Sequence, residues 1–333
     1  MSFSKKIKTY FKFFLINLLI FELIFQILFF LNFQLIKKPD LYYNGFCDQK
    51  YWDLIDNKIS FKNNTIYHPI LSIVKKDLQV PDKFTDDNLL TKNNKKNNDN
   101  EIVIYGSSYN NHVEFINHLN KKNVIFRNYA LESYGLDQIF LSYKLTAYQN
   151  QNKTILIGFL LEDLDRSIFS KREYNKVFFS KRNSTFEVNN TPIKLENNKK
   201  INFDLYLFKF LKNFYNLILS DFDPRKNECL IDHKKDLFIF FIDEIKKLSV
   251  KYNQKIVIIT YNLKQDFINK PSWRYEFIKN HLQKENIVHV DAYKILKEKS
   301  SNNINKINSY FGDDLHNNYK SFDFIIENVI KKL

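Results

Sequence analysis

Five short apolar runs constrain this chain more than any other feature. Ile102-Val103-Ile104-Tyr105, Val124-Ile125-Phe126, Thr154-Ile155-Leu156-Ile157, Lys255-Ile256-Val257-Ile258-Ile259-Thr260 and Ile287-Val288-His289-Val290 show little polar alternation, and stretches with helical spacing lie between and after them. A strand that is apolar on both faces must be covered on both, and helices crossing above and below a parallel sheet do that. The expectation is an α/β fold of three layers, α/β/α, with a five-stranded parallel sheet. Residues 136–149, 236–251 (Leu237, Phe240, Phe241, Ile245, Leu248) and 322–333 carry the helical patterns. Residues 162–230 are too many for a simple crossover, and Val177-Phe178-Phe179 with its Asn-rich turns reads as an inserted hairpin or cap.

The N-terminus is of another kind. Residues 13–31 form an apolar stretch broken by one formal charge, close to the length that crosses a bilayer as a helix. Lys5, Lys6, Lys8 and Lys12 precede it, which puts the N-terminus in the cytoplasm and residues 37–333 outside, periplasmic or at the cell surface. A cleaved signal peptide would end at a small-residue site, and Asn32-Phe33-Gln34-Leu35-Ile36 offers none, so an uncleaved single-pass anchor is favoured. Glu22 and Gln26 share a helical face inside the span. Either they meet a membrane partner, such as an acyl-transferring protein, or a lone anchor tolerates them by tilting or protonation. The chain thus divides into residues 1–36 (cytoplasmic N-terminus and transmembrane helix), 37–100 (extension, ending in a polar linker at 91–100) and 101–333, the sheet domain with its insertion at about 162–230.

Composition narrows the function classes. A chain that is 44% hydrophobic and 17% aromatic is not disordered throughout. Cys47 and Cys229, the two cysteines, would lie in an oxidising space where a disulfide between them can form, though nothing in the sequence shows that they meet. The net charge of +14 comes without a compact basic stripe, which argues against nucleic acid. Only five glycines occur, so each marks backbone with a special requirement, and no Gly-rich phosphate loop can be built from them.

Chemistry gathers at two places. Ser108 follows the first strand in Gly106-Ser107-Ser108-Tyr109, where a hydroxyl is presented at the carboxyl end of a strand beside helix-start N–H groups. Serine needs a base, and Gly312-Asp313-Asp314-Leu315-His316 supplies one just before the last helix. In this reading His316 takes the serine proton and Asp313 orients the imidazole, with Asp291 after the fifth strand as the lesser option. The structural alternatives are a helix N-cap for the serine and a capping loop for Asp-x-x-His. His112 and His118, six apart, lack a shared-face metal spacing, and His289 belongs to a strand, so neither a metal nor a cofactor is expected.

Together these residues resemble the SGNH (GDSL-type) hydrolase superfamily over about residues 101–333. Gly106-Ser107-Ser108 is similar to its Gly-Asp-Ser block, with Ser107 replacing Asp. Asn128…Gly135-x-x-Gln138 resembles the second block of membrane-anchored members, and Asp313-x-x-His316 the last. The resemblance implies a flavodoxin-like sheet, Ser108, His316 and Asp313 as catalytic residues, and an oxyanion held by the N–H groups of Ser108 and Gly135. The third block departs: Gly158-Phe159-Leu160-Leu161-Glu162-Asp163-Leu164-Asp165-Arg166 has no Asn to complete the oxyanion hole. Glu162 stands near that place, repulsive unless protonated, and Arg166 is the candidate cation; Ser107, Asn128, Glu162 and Asp163 would line the site. The expected function is a membrane-anchored extracytoplasmic serine esterase or O-acyltransferase acting on acyl or acetyl esters, of cell-surface glycans by analogy. The alternative is a non-catalytic glycan-binding or partner subunit of a membrane acyltransferase. A lipid-active esterase is a third reading.

Overall fold

The computed structural model describes residues 3–31, 64–84, 101–168, 171–172, 174–182, 185–193, 205–207, 230–314 and 316–333. They fall into two compact units, one of residues 1–58, 171–173 and 195–229, the other of residues 59–170, 174–194 and 230–333. Cys47 and Cys229 lie outside the described residues, as does the polar tract at 91–100.

In the first unit α1 runs from Phe3 to Phe30, and Lys6–Leu28 within it is long and apolar enough to cross a membrane. The polar pair on this helix is satisfied within the chain. Glu22 accepts from the backbone N–H groups of Tyr206 and Leu207, both at 2.8 Å, and from Gln26 Nε2 at 2.7 Å. Two adjacent N–H groups and an amide thus surround the carboxylate.

The second unit is built on the sheet. Its described elements are the hairpin β1 (Thr65–His68) and β2 (Ser72–Lys75), then β3 (Ile102–Gly106), the one-turn α2 (Ser108–Asn111), α3 (Val113–Lys121), β4 (Phe126–Asn128) and α4 (Leu136–Thr146). β5 (Thr154–Leu160), α5 (Asp163–Arg166) and the antiparallel hairpin β6 (Phe178–Arg182) and β7 (Thr185–Asn189) follow. The chain continues through α6 (Ile231–Lys251), β8 (Lys255–Tyr261), α7 (Lys264–Ile268), α8 (Trp273–Lys284), β9 (Val288–Asp291), α9 (Ala292–Ser300), α10 (Ile304–Asn308) and α11 (Tyr319–Ile330). The five-stranded sheet has the order β9-β8-β5-β3-β4, and its four strand pairings are parallel. This is the doubly wound order in which the chain reverses direction between β3 and β5, and the crevice outside the strand ends at that point is where such sheets place ligands.

The expected α/β/α layering holds. Val103, Ile104, Leu156, Ile157, Val257, Ile258 and Ile259 are all buried between the helical layers. On one face α3, α9 and α11 pack together; on the other Phe140 of α4 stacks on Phe241 of α6 at 4.9 Å, and Phe238 of α6 meets Phe277 of α8 edge-on. The hairpin β1–β2 lies in the stretch that reads as an extension, yet Ile70, Leu71 and Val74 join the core. Local capping stabilises it: His68 Nδ1 accepts from the N–H groups of Ile70 and Leu71 at 3.1 Å each, a bond that hydropathy does not reveal. The hairpin expected around Val177-Phe178-Phe179 is β6–β7.

Two of the scarce glycines face each other. Gly106 and Gly158 are register partners on β3 and β5. The Asn110 side chain lies over both: a Cβ on Gly106 would come within 2.7 Å of Asn110 Oδ1, and one on Gly158 would overlap its amide. Substituting Gly158→Ala is therefore expected to displace Asn110 and destabilise the domain by about 1–3 kcal/mol, read as a lower midpoint in thermal or urea unfolding.

Candidate active site

The turn after β3 brings its serine to the switch point. Ser107 precedes α2 with extended backbone (φ −97°), and Ser108 begins the helix, where no preceding carbonyl takes its N–H. Asn128 secures this turn from β4: its Nδ2 donates to Asn110 O at 2.9 Å, and its Oδ1 accepts from the Ala130 N–H at 2.9 Å. The loop before α11 closes on itself through the Gly312 N–H to His316 O bond at 2.9 Å and the Phe311–Asn317 bridge. Asn318 then caps α11 by accepting from the N–H groups of Lys320 and Ser321. These local bonds carry His316 to the serine.

His316 Nε2 lies 2.9 Å from Ser108 Oγ, across 208 residues of sequence. The acid beside the imidazole is Asp314, not the expected Asp313. Asp314 Oδ1 accepts the His316 backbone N–H at 3.1 Å, and Oδ2 is 3.3 Å from Nδ1. That second contact has ion-pair distance but is off the line of a hydrogen bond. Asp313 is exposed and makes no contact with His316 among the described residues. The tight turn, in which Asp314 folds back onto the N–H two residues on, selects the second acid of the pair. Asp291 is engaged elsewhere, capping α9 and accepting from Tyr275 Oη at 2.8 Å. Partial burial pushes the Asp314 pKa up, but the His316 N–H and the two histidines His316 and His112 outweigh it and hold it below the usual carboxylate value.

Aromatic rings frame the imidazole. Tyr109 sits 4.8 Å from the His316 ring and 4.8 Å from that of Tyr261, and His112 stacks on His316 at 5.3 Å. From the sequence, Tyr109 and Asn110 carry no assigned role, His112 is weighed only as a metal ligand, and Asp313 is chosen over Asp314. His118 and His289 are structural: His118 Nε2 meets Tyr319 O at 2.7 Å, and His289 Nε2 meets Thr260 Oγ1 at 2.8 Å.

The expected oxyanion groups are largely engaged. The Gly135 N–H donates to Gln138 Oε1 at 3.3 Å, as part of the start of α4. Arg166 Nη1 pairs with Asp163 Oδ1 at 2.7 Å, and Asp163 Oδ2 accepts the Leu160 N–H at 2.9 Å. Ser107 is fully buried, and its hydroxyl has no hydrogen-bond partner among the described residues. That leaves the Ser108 N–H as the expected donor without a competing acceptor among the described residues.

Beyond β5 lies a buried charge group. Asp165 takes Lys234 Nζ at 2.7 Å and Arg274 Nη2 at 2.8 Å, and Asp266 takes Asn262 Nδ2 at 3.1 Å. Glu162 is 8% exposed, and neither carboxyl oxygen has a hydrogen-bond partner among the described residues. Burial, reinforced by Asp266 and Asp165 and opposed by Arg274, pushes its pKa up to about 8. Burial and the neighbouring acids thus favour the protonated, neutral form of Glu162, the group near the missing Asn. The anionic repulsion foreseen from the sequence is absent in that form.

No protein-family model matches the sequence, and no curated protein matches it. Among solved structures, the chain is similar to a member of the lipolytic protein G-D-S-L family from Veillonella parvula, at 12% identity and a TM-score of 0.37, over 69% of this chain and 96% of that one. It is likewise similar to a GDSL-like lipase from Bacteroides thetaiotaomicron, at 11% identity and a TM-score of 0.36, over 70% and 89%. These likenesses are distant, and the chemistry of the site is argued from its own distances.

The raised Glu162 pKa has a consequence for stability. An unfolded Glu ionises near 4.5 and this one near 8, so the folded state holds an extra proton between those values. Stability then falls as pH rises through that window and levels off above it. Glu162→Gln, which fixes a neutral side chain, is expected to match the wild type below about pH 4.5 and to raise Tm by about 5 °C or more at about pH 9, read by thermal unfolding at both.

Proposed function

We propose that the protein is a membrane-anchored serine esterase or O-acyltransferase. The observation that carries this is the 2.9 Å contact between Ser108 Oγ and His316 Nε2 at the switch point of a doubly wound sheet. A serine hydroxyl is a weak nucleophile until a base takes its proton, and a neutral imidazole at hydrogen-bond distance is such a base. Ser108 Oγ attacks the ester carbonyl while its proton passes to His316 Nε2. The imidazolium is stabilised by Asp314, and the developing oxyanion is met by the Ser108 N–H at the start of α2. The leaving alcohol takes the proton from His316, and water or an acceptor hydroxyl then releases the acyl group from Ser108.

The apolar helix α1 supports a membrane location, and the lysines before it support a cytoplasmic N-terminus with the sheet domain outside. That compartment favours acylated or acetylated cell-surface glycans as substrates.

Ser108→Ala is expected to lower turnover of a p-nitrophenyl ester by at least about a thousandfold and to abolish labelling by a fluorophosphonate probe. Unchanged turnover would remove the assignment. The two adjacent acids separate in the same assay: Asp314→Asn should lower kcat by roughly 10–1,000-fold, while Asp313→Asn stays within about twofold of wild type.

A further inference from the structure

His112 is not required by the ester chemistry, yet it touches a group that is. It follows α2 directly and caps α3, with its ring stacked between those of His316 and Phe322 at 5.3 and 5.6 Å. Its two nitrogens face opposite kinds of neighbour. Nδ1 accepts the backbone N–H of Glu114 at 3.3 Å, and an amide can only donate, so Nδ1 carries no proton. In the neutral ring the proton is then on Nε2, which lies 3.3 Å from Asp314 Oδ2. That oxygen also lies 3.3 Å from His316 Nδ1. The Glu114 N–H meets His112 Nδ1, His112 Nε2–H meets Asp314, His316 Nδ1–H faces the same oxygen, and the Ser108 hydroxyl meets His316 Nε2. The four contacts follow one another without two donors or two acceptors facing.

We infer that His112 is a positioning residue, whose Nε2–H holds the Asp314 carboxylate against His316. The inference rests on the esterase reading of the same site. It answers a weakness of that site: the Asp314 side chain is 57% exposed, so water competes for its oxygens and its rotamer is not fixed by packing. The His112 side chain is 20% exposed, with its ring fixed by stacking and by the cap of α3, and it supplies a rigid donor from the serine's side of the cleft. The ligand-type atoms of His112, Asp314 and His316 all lie within 4.8 Å of one another. With the proton on Nε2 and an amide against Nδ1, His112 offers Asp314 a donor rather than a lone pair to a metal.

Two variants of the full-length protein separate this role from capping and stacking. His112→Asn keeps a side-chain acceptor for the cap but is too short to reach Asp314, and His112→Phe keeps the stacked ring but neither nitrogen. Both are expected to lower kcat about tenfold with KM within about twofold, as for a misheld catalytic group. In an Asp314→Asn background His112→Asn should add less than about a twofold further loss, because its target is gone. Wild-type kcat in both single variants, or losses that multiply fully with that of Asp314→Asn, would overturn the inference. Nitrogen-15 NMR of the histidine rings reads the tautomer without turnover, in wild type and in Ser108→Ala. His112 protonated on Nε2 supports the role, and protonation on Nδ1 overturns it. Turnover that survives Ser108→Ala would instead overturn the esterase reading, leaving the tautomer result as an independent report on His112.

Discussion

Ser108 stands where it does because two neighbouring strands lack side chains at one level. Gly106 and Gly158 are opposite each other on β3 and β5, and the Asn110 amide occupies the space that their Cβ atoms would take. This lets the one-turn helix α2 settle onto the ends of both strands. Asn128 holds the same helix from the side by donating from Nδ2 to the Asn110 carbonyl, and Asn110 Nδ2 donates to Tyr261 Oη of β8. Four strands of the sheet thus fix one short turn, and the serine hydroxyl inherits their rigidity. Function on a doubly wound sheet requires this kind of support, since the reactive group lies at the rim where the ladder of hydrogen bonds has ended.

The sheet was legible because its strands are apolar on both faces, a pattern set by burial and little affected by loops. All five runs correspond to strands, with ends moved by one to three residues in most, and Val124-Ile125-Phe126 displaced to Phe126–Asn128 by the turn that precedes it. The serine and histidine were legible because each belongs to a punctuated turn beside a strand or helix. The acid was not, because Asp313 and Asp314 differ only in which side chain the turn folds back, and that is decided by the His316 N–H. His112 was hidden for a different reason. A spacing test for metal ligands examines one helix at a time, whereas this histidine's partners lie about two hundred residues away.

The buried acids beyond β5 show a division of labour. Asp163 and Asp165 each find cations, Asp137 pairs with Lys176 at 2.5 Å, and Glu162 is left without one. Removing one partner of such a pair strands a charge in low dielectric, so these contacts fix arrangement more than they add net stability. Glu162 escapes the penalty by keeping its proton. The result is a buried polar group in which the cations are matched by Asp163 and Asp165, and Glu162 adds no further negative charge while it keeps its proton.

Glu22 gives the apolar helix α1 a structural duty. By closing on the amide groups of residues 206 and 207, the apolar helix completes backbone that comes from the far side of the sequence. The carboxylate and the two amides satisfy one another, so removing either side strands the other without a partner. A version of the chain cut after α1 would leave the N–H groups of Tyr206 and Leu207 without the acceptor that Glu22 provides.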